Sequence, residues 1–281
     1  MAIYMTFPNG LKKVFTMSYD DGVRQDRRLI EILDRYGIKA TFNINSGIFE
    51  ADADYERQDG RMSAEEIKVL FENSPHEVAV HGLEHAYDHI LHPNCMANEI
   101  LEDRKNIEKL TGRIVRGMAY PFGTFNDRLI ECLKACGIVY SRTVISSERF
   151  TMPSDWLRLE PTCHHGNEKI FELCDRFIDS NPRIPEMFYV WGHSYEFDRN
   201  TEFNSWEHIE RVAEKMSGHK DIWYATNIEI YDYTRAYENL VISTDYSRIY
   251  NPNAIDVWVD KGDWSDGKVY CIKAGETLEL K

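Results

Sequence analysis

Two adjacent carboxylates, Asp20 and Asp21, followed by Gly22, stand where the apolar run Val14-Phe15-Thr16-Met17-Ser18 gives out. Farther along, His81 and His85 lie four residues apart, and Tyr120-Pro121-Phe122-Gly123 makes a short aromatic turn. A late apolar run ending at Trp191 leads into Gly192-His193. Imidazole nitrogens and a carboxylate oxygen suit a divalent cation of the zinc type, which keeps a position open for water. His81, His85 and one of the two aspartates supply such a set and leave the other aspartate free as a general base. Zinc heads the candidates, and the same donors suit cobalt, nickel, manganese and iron(II).

Taken singly, these signals are modest. Asp-Asp-Gly is also a turn with a helix cap, and loop histidines also occur without metal. His81-Gly82-Leu83-Glu84-His85 fits the H-x-x-E-H pattern of inverted zinc proteases as well, with Glu84 as base. That chemistry needs a helix that puts both histidines on one face. Here Glu77-Val78-Ala79-Val80 reads as a strand running into His81, and Gly82 follows at once, so the protease reading is set aside. His89 continues the spacing, but a fourth ligand would close the open position, and it reads as a surface group. His164 and His165 read as loop residues.

The elements that must hold these groups alternate. A strand at Val14–Ser18 precedes a helix at Arg27–Tyr36, stopped by Gly37, and a strand at Lys39–Asn45 follows. Ser63 with Glu66 is a capping box opening a helix to Phe71, ahead of the strand Glu77–Val80. Helices are expected at Asn94–Leu110, Asn126–Ala135, Lys169–Ile178 and Trp206–Lys215. Strands are expected at Ile114–Ala119, Ile138–Tyr140, Met187–Trp191 and Ile222–Ala225. Strands alternating with helices predict a parallel α/β sheet or barrel. Such barrels collect their active sites at the C-terminal ends of the strands, which is where the two carboxylates and three imidazoles fall.

The tail has a different grammar. Short apolar pieces (Val241–Ser243, Ile249-Tyr250, Ile255–Val259, Val269–Ile272, Thr277–Leu280) are separated by Asn251-Pro252-Asn253, Lys261-Gly262-Asp263, Asp266-Gly267 and Gly275. This predicts a barrel over residues 1–238 and a small antiparallel β appendage over 239–281. The appendage is suited to covering a barrel edge or to building an interface in a homo-oligomer.

Composition bounds the function. With 281 residues, 43 % hydrophobic and 28 % charged, the chain is a globular protein that needs no metal in order to fold. A net charge of -14 repels phosphate backbones and anionic lipid, which argues against nucleic-acid and membrane partners. No apolar run approaches the ~20 residues that span a bilayer. Met1–Gly10 lacks the basic and apolar segments of an export signal, so a cytoplasmic protein is expected. The six cysteines have no regular framework and read as reduced thiols.

Together, Ser18-Tyr19-Asp20-Asp21-Gly22, His81-x3-His85, Tyr120-Pro121-Phe122-Gly123 and Gly192-His193 resemble, in order and spacing, the NodB-like polysaccharide deacetylases. These are metal-dependent carbohydrate esterases of family 4 type, and the resemblance covers roughly residues 11–235. It implies a distorted (β/α)7 barrel that is TIM-barrel-like, with Asp20 as base, Asp21, His81 and His85 as metal ligands, and His193 as the acid that protonates the leaving amine. It further implies an oxyanion held by the Phe122 amide and Trp156 lining the sugar groove; Tyr120 and Pro121 beside it, and Trp191, Tyr195 and Glu196 flanking His193, are further candidates for substrate contact. The chain departs from the family at Ala119, where an arginine that orients the catalytic aspartate is usual; Arg142 and Arg158 are the replacements suggested by position. Gly82 stands where a hydroxyl residue is usual, and Asp155-Trp156 is the best match to the fourth motif. The expected activity is removal of an N-acetyl group from an amino sugar or oligosaccharide, a hydrolase of carbohydrate metabolism. The alternatives are an amidase acting on a non-sugar C–N bond and a catalytically silent carbohydrate-binding protein.

Overall fold

The structure is a computed structural model that describes residues 2–262 and 267–280. Strand β1 (Ala2–Thr6) precedes β2 (Lys13–Asp20), helix α1 (Gln25–Arg35), β3 (Ala40–Ile44), α2 (Ala64–Phe71) and β4 (Glu77–Val80). Then come α3 (Pro93–Thr111), β5 (Gly117–Ala119), α4 (Asp127–Ala135), β6 (Tyr140–Arg142), β7 (Cys163–His164), α5 (Ile170–Asp179) and β8 (Glu186–Gly192). The barrel part ends with α6 (Trp206–Met216), β9 (Ile222–Tyr224) and α7 (Asn227–Glu238). The tail carries β10 (Val241–Ile242), β11 (Arg248–Tyr250), β12 (Val257–Gly262), β13 (Lys268–Ile272) and β14 (Thr277–Glu279).

The helices begin where the chain supplies oxygen acceptors. Ser63 and Glu66 form the expected capping box on α2, Asn126 caps α4 and Ser205 caps α6. On α1, Leu29, Ile30, Ile32 and Leu33 turn one stripe inward, each burial worth about 1.5–3 kcal/mol. Helix α7 falls outside the sequence reading, although Thr226 and Glu229 make a second capping box at its start.

The strands run in the order β6-β5-β4-β3-β2-β8-β7, every neighbouring pair parallel, with β9 beside the first residues of β2. Leu159 bonds to both Ser141 (3.0 Å) and Thr143 (2.9 Å), so the segment entering β7 reaches back to β6 and the sheet curls towards closure. This is the distorted (β/α)7 barrel. Strand β2 is buried along its whole length because it has neighbours on both sides and cover on both faces. Its odd residues Phe15, Met17 and Tyr19 belong to the core under the helices. Its even residues face the barrel interior, where Thr16 donates to Asn227, Ser18 pairs with the Tyr189 hydroxyl, and Asp20 ends the row.

The tail builds two small antiparallel sheets, β1-β12-β13 and β10-β11-β14, around Ile249, Val259, Ile272 and Leu280. The first strand of the chain thus pairs with the tail, from Ala2 opposite Gly262 to Thr6 opposite Trp258. Of the turns expected there, Asp263 and Asp266 lie outside the described residues. No helix among the described residues is long and apolar enough to cross a membrane. All six cysteines are free thiols.

Candidate metal centre and active site

Asp20 is the last residue of β2, pointing inward and 2 % exposed. Asn43, directly across on β3, donates its Nδ2 hydrogen to Asp20 Oδ1 at 2.8 Å. The Arg142 guanidinium donates to Oδ2. Burial raises the Asp20 pKa, but Arg142, then His81 and His193, outweigh it and hold the carboxyl at about 2. Asp20 is therefore an anion at neutral pH. Arg142 sits on β6 in register with Ala119 of β5, so the guanidinium missing from residue 119 is supplied by the residue beside it. Its other face lies 4.2 Å over the Trp191 ring. Arg158 points elsewhere, pairing with Asp127 and Asp155.

One residue on, the backbone swings to φ +86° at Asp21 and turns its carboxylate away from Asp20. Asp21 Oδ1 lies 3.9 Å from His81 Nε2 and 3.7 Å from His85 Nε2, and the three donor atoms are all within 4.8 Å of one another. Donors on a tetrahedral zinc stand about 3.3 Å apart, so the three must draw together to hold one. The hydrogen bonds also suit it. His81 Nδ1 lies 2.8 Å from the Ala119 carbonyl, which places the ring hydrogen there and leaves the Nε2 lone pair facing Asp21. Burial lowers the His81 pKa against the pull of Asp20 and Asp21, favouring the neutral ring that ligation requires.

The loop that delivers the histidines is braced from behind. Asp103 accepts from the backbone N–H of His81 at 3.0 Å, and the Asn45 amide donates to the carbonyls of His81 and Gly82. Gly82 has φ +77°, and a Cβ there would stand 3.2 Å from Pro121 Cγ. His85 has φ +55°. The segment is non-helical, as the strand leading into His81 predicts. Arg61 reaches Asp21 Oδ1 at 3.4 Å, a cation that sequence reasoning missed because residue 61 lies in an irregular loop.

His193 follows the end of β8 and turns its Nε2 towards Asp20 Oδ2 at 3.9 Å. Burial lowers its pKa, but Glu196, Asp20 and Asp21 more than compensate and raise it above the ordinary histidine value. Phe122 sits at φ +57°, with its ring stacked on Tyr87 at 4.0 Å and edge-on to His85 at 4.4 Å, beside the ligand loop. Asp20, Asp21, His81, His85, Phe122 and His193 are thus brought together. Trp191 joins them through Arg142. Pro121 is buried against Gly82. Tyr120 is 1 % exposed and donates its hydroxyl to the Leu157 carbonyl, and Trp156 is 6 % exposed and packed on Tyr231. Both aromatic rings form core, and neither opens onto the cleft. Asp155 is likewise turned outward, capping Leu157.

Comparison with known proteins fits this geometry. Residues 8–141 match the family model described as polysaccharide deacetylase. A Mycobacterium smegmatis protein assigned to the polysaccharide deacetylases aligns with 84 % of this chain and 95 % of its own, at 15 % identity and TM-score 0.60. A mutant of a carbohydrate esterase family 4 pseudoenzyme with restored enzymatic activity aligns over 80 % of this chain and 69 % of its own, at 17 % identity and TM-score 0.51. A family 4 acetyl xylan esterase from Clostridium thermocellum, in complex with a cobalt ion, covers 78 % of this chain and 91 % of its own, at 16 % identity and TM-score 0.50. Among curated proteins, none matches the sequence. Residues 8–141 are thus similar to the polysaccharide deacetylases, and the fold is the one these solved structures share.

Proposed function

We propose that the protein is a metal-dependent hydrolase that removes the N-acetyl group of an acetylated amino sugar or short oligosaccharide. The observation that carries this reading is a buried anionic carboxylate, Asp20, set beside an open Asp-His-His donor set and facing the His193 ring nitrogen at 3.9 Å. Asp21, His81 and His85 would hold the cation, zinc being the first candidate. When bound, it supplies Lewis-acid polarisation of the acetamide carbonyl and a lowered pKa for water.

Asp20 takes the proton of the attacking water, and Arg142 and Asn43 keep its oxygens aimed. The Phe122 N–H faces the developing oxyanion at the turn beside His85. His193 then gives its Nε2 proton to the departing nitrogen. An amine leaves poorly as an anion, so an acid at this position is a requirement of C–N cleavage and far less of one for an activated ester.

The test is acetate release from N-acetylglucosamine and its oligomers by zinc-loaded and metal-stripped protein. Release that depends on zinc is the expected result. No release from any sugar, with zinc bound by the donor set, would overturn the reading and point to a non-sugar amide or a silent binder.

A further inference from the structure

A second group of metal-type donors lies next to the first. His164, His193 and Glu196 bring one donor atom each within 4.8 Å of one another. Glu196 stands on the short turn Ser194–Arg199 that follows His193, and its side chain is 10 % exposed. Its Oε2 lies 2.8 Å from His164 Nε2, 3.3 Å from His165 Nε2 and 3.6 Å from His193 Nδ1, while its Oε1 pairs with Arg199 at 2.9 Å.

Hydrogen positions decide between a cation site and something else. The backbone N–H of Gly166 donates to His164 Nδ1 at 3.0 Å. That bond commits the Nδ1 lone pair, so the neutral ring carries its hydrogen on Nε2, the nitrogen 2.8 Å from Glu196 Oε2. A ring in this tautomer has no lone pair left at Nε2 for a metal. His81 shows the opposite arrangement, with its Nδ1 hydrogen on a carbonyl and Nε2 free. His193 is placed differently again, with one nitrogen towards Glu196 and the other towards Asp20. A carboxylate at each end of the ring favours a hydrogen on each nitrogen.

We propose that Glu196 is the positioning residue for His193: it accepts the Nδ1 hydrogen and so aims Nε2–H at the leaving nitrogen, with His164 and Arg199 fixing the carboxylate from its other sides. The inference rests on the reading of His193 as the group that protonates the amine. When the C–N bond breaks, its electron pair stays on nitrogen and takes the Nε2 proton. The ring is left neutral with its remaining hydrogen on Nδ1, still facing Glu196. The logic is that of a carboxylate fixing the tautomer and orientation of a catalytic imidazole. The second donor cluster is then a proton-holding group, and the chain binds one zinc.

The experiment compares wild type with Glu196→Gln on two acetyl donors, N-acetylglucosamine oligomers and 4-nitrophenyl acetate, whose leaving group departs without a proton. The expected result is a fall of at least tenfold in the ratio of amide to ester kcat, with KM for the oligomer changed less than threefold and zinc at one per chain in both proteins. Equal losses on both substrates, or none on either, would overturn the proposal, as would a second zinc in the wild type that Glu196→Gln loses. Nitrogen-15 NMR of the histidines gives a reading independent of turnover. Wild-type His193 should hold its Nδ1 hydrogen and Glu196→Gln should lose that preference; an unaltered His193 spectrum would sink the idea. Should the wild type release no acetate from either donor, the deacetylase reading fails, and the NMR comparison alone decides for or against Glu196.

Discussion

Asp20 gains its character from neighbours far away in sequence. Asn43 and Arg142 take one oxygen each, and Arg142 in particular keeps a buried carboxyl ionised. Replacing Asp20 by Asn is expected to lower kcat by at least about 10³-fold while zinc content stays at one, measured by acetate release and elemental analysis. Arg142→Met removes the cation that offsets burial, so the Asp20 pKa rises from about 2. Activity that needs the anion is then lost from the acid side. The acid limb of kcat/KM against pH should move up by more than one unit, and a limb that stays put would contradict the role given to Arg142.

At this scale the sequence was informative about the proposed ligands and poor about the residues around them. Asp20, Asp21, His81, His85 and His193 sit at strand ends in chain order, which a linear pattern records. That Arg142 stands beside Ala119 is a matter of strand register, and the strand itself begins two residues later than the apolar pattern at Ile138 suggests. Glu196 reads in the sequence as a group flanking His193 that could contact substrate, and only the turn after β8 sets its carboxylate beside the His193 ring. Tyr120 and Trp156 mislead in the other direction, because an aromatic ring beside a motif is apolar material for the core as readily as a platform for sugar.

Among the elements, the loop from Gly82 to Leu91 does most to place the metal centre. Gly82 adopts φ +77° with Pro121 at its back, so Gly82→Ala adds both backbone strain and a close contact. Zinc affinity is expected to fall at least tenfold by chelator competition, with a smaller loss in global stability. Asp88, in the same loop, is 1 % exposed, and neither of its carboxylate oxygens has a hydrogen-bond partner. Burial, reinforced by Glu99 and Asp103, raises its pKa to about 7. The folded form therefore binds a proton that the unfolded chain has released, from the ordinary carboxyl value of 3.8 up to about 7. Stability falls as pH rises through that window. Asp88→Asn removes the titration, so the variant should gain on wild type between pH 5 and pH 8, by on the order of a few kcal/mol in urea unfolding. A gap that does not change with pH would refute this assignment. The alternating elements of the barrel were legible because their periods differ, 3.6 against 2. Helix α7 escaped because its run of tyrosines and isoleucines lacks a clear apolar stripe, although its capping box was in plain view.

On the scale of the whole molecule, the two small sheets of the tail lie beside the barrel and take the chain's first strand as an edge. Deleting residues 2–6 leaves β12 with one neighbour and opens the tail core at Val257 and Val259. A lower melting temperature is expected, with zinc stoichiometry unchanged, because the proposed metal ligands lie on the barrel. The acidic net charge of -14 is interrupted at the strand ends by Arg61 and Arg142, which face the two aspartates and leave the cleft less anionic than the surface around it.

The pairing of Ala2 with Gly262 also sets an order in time. A ribosome releases β1 ahead of the barrel elements, and its partner strand β12 emerges only after them. Until then β1 has backbone donors and acceptors with nothing in the chain to satisfy them. The barrel can assemble as it is synthesised, one strand and helix after another. Strand β1 leaves the tunnel before the barrel and is placed after it, and a nascent chain stalled before residue 257 should still present β1 to a protease or an antibody.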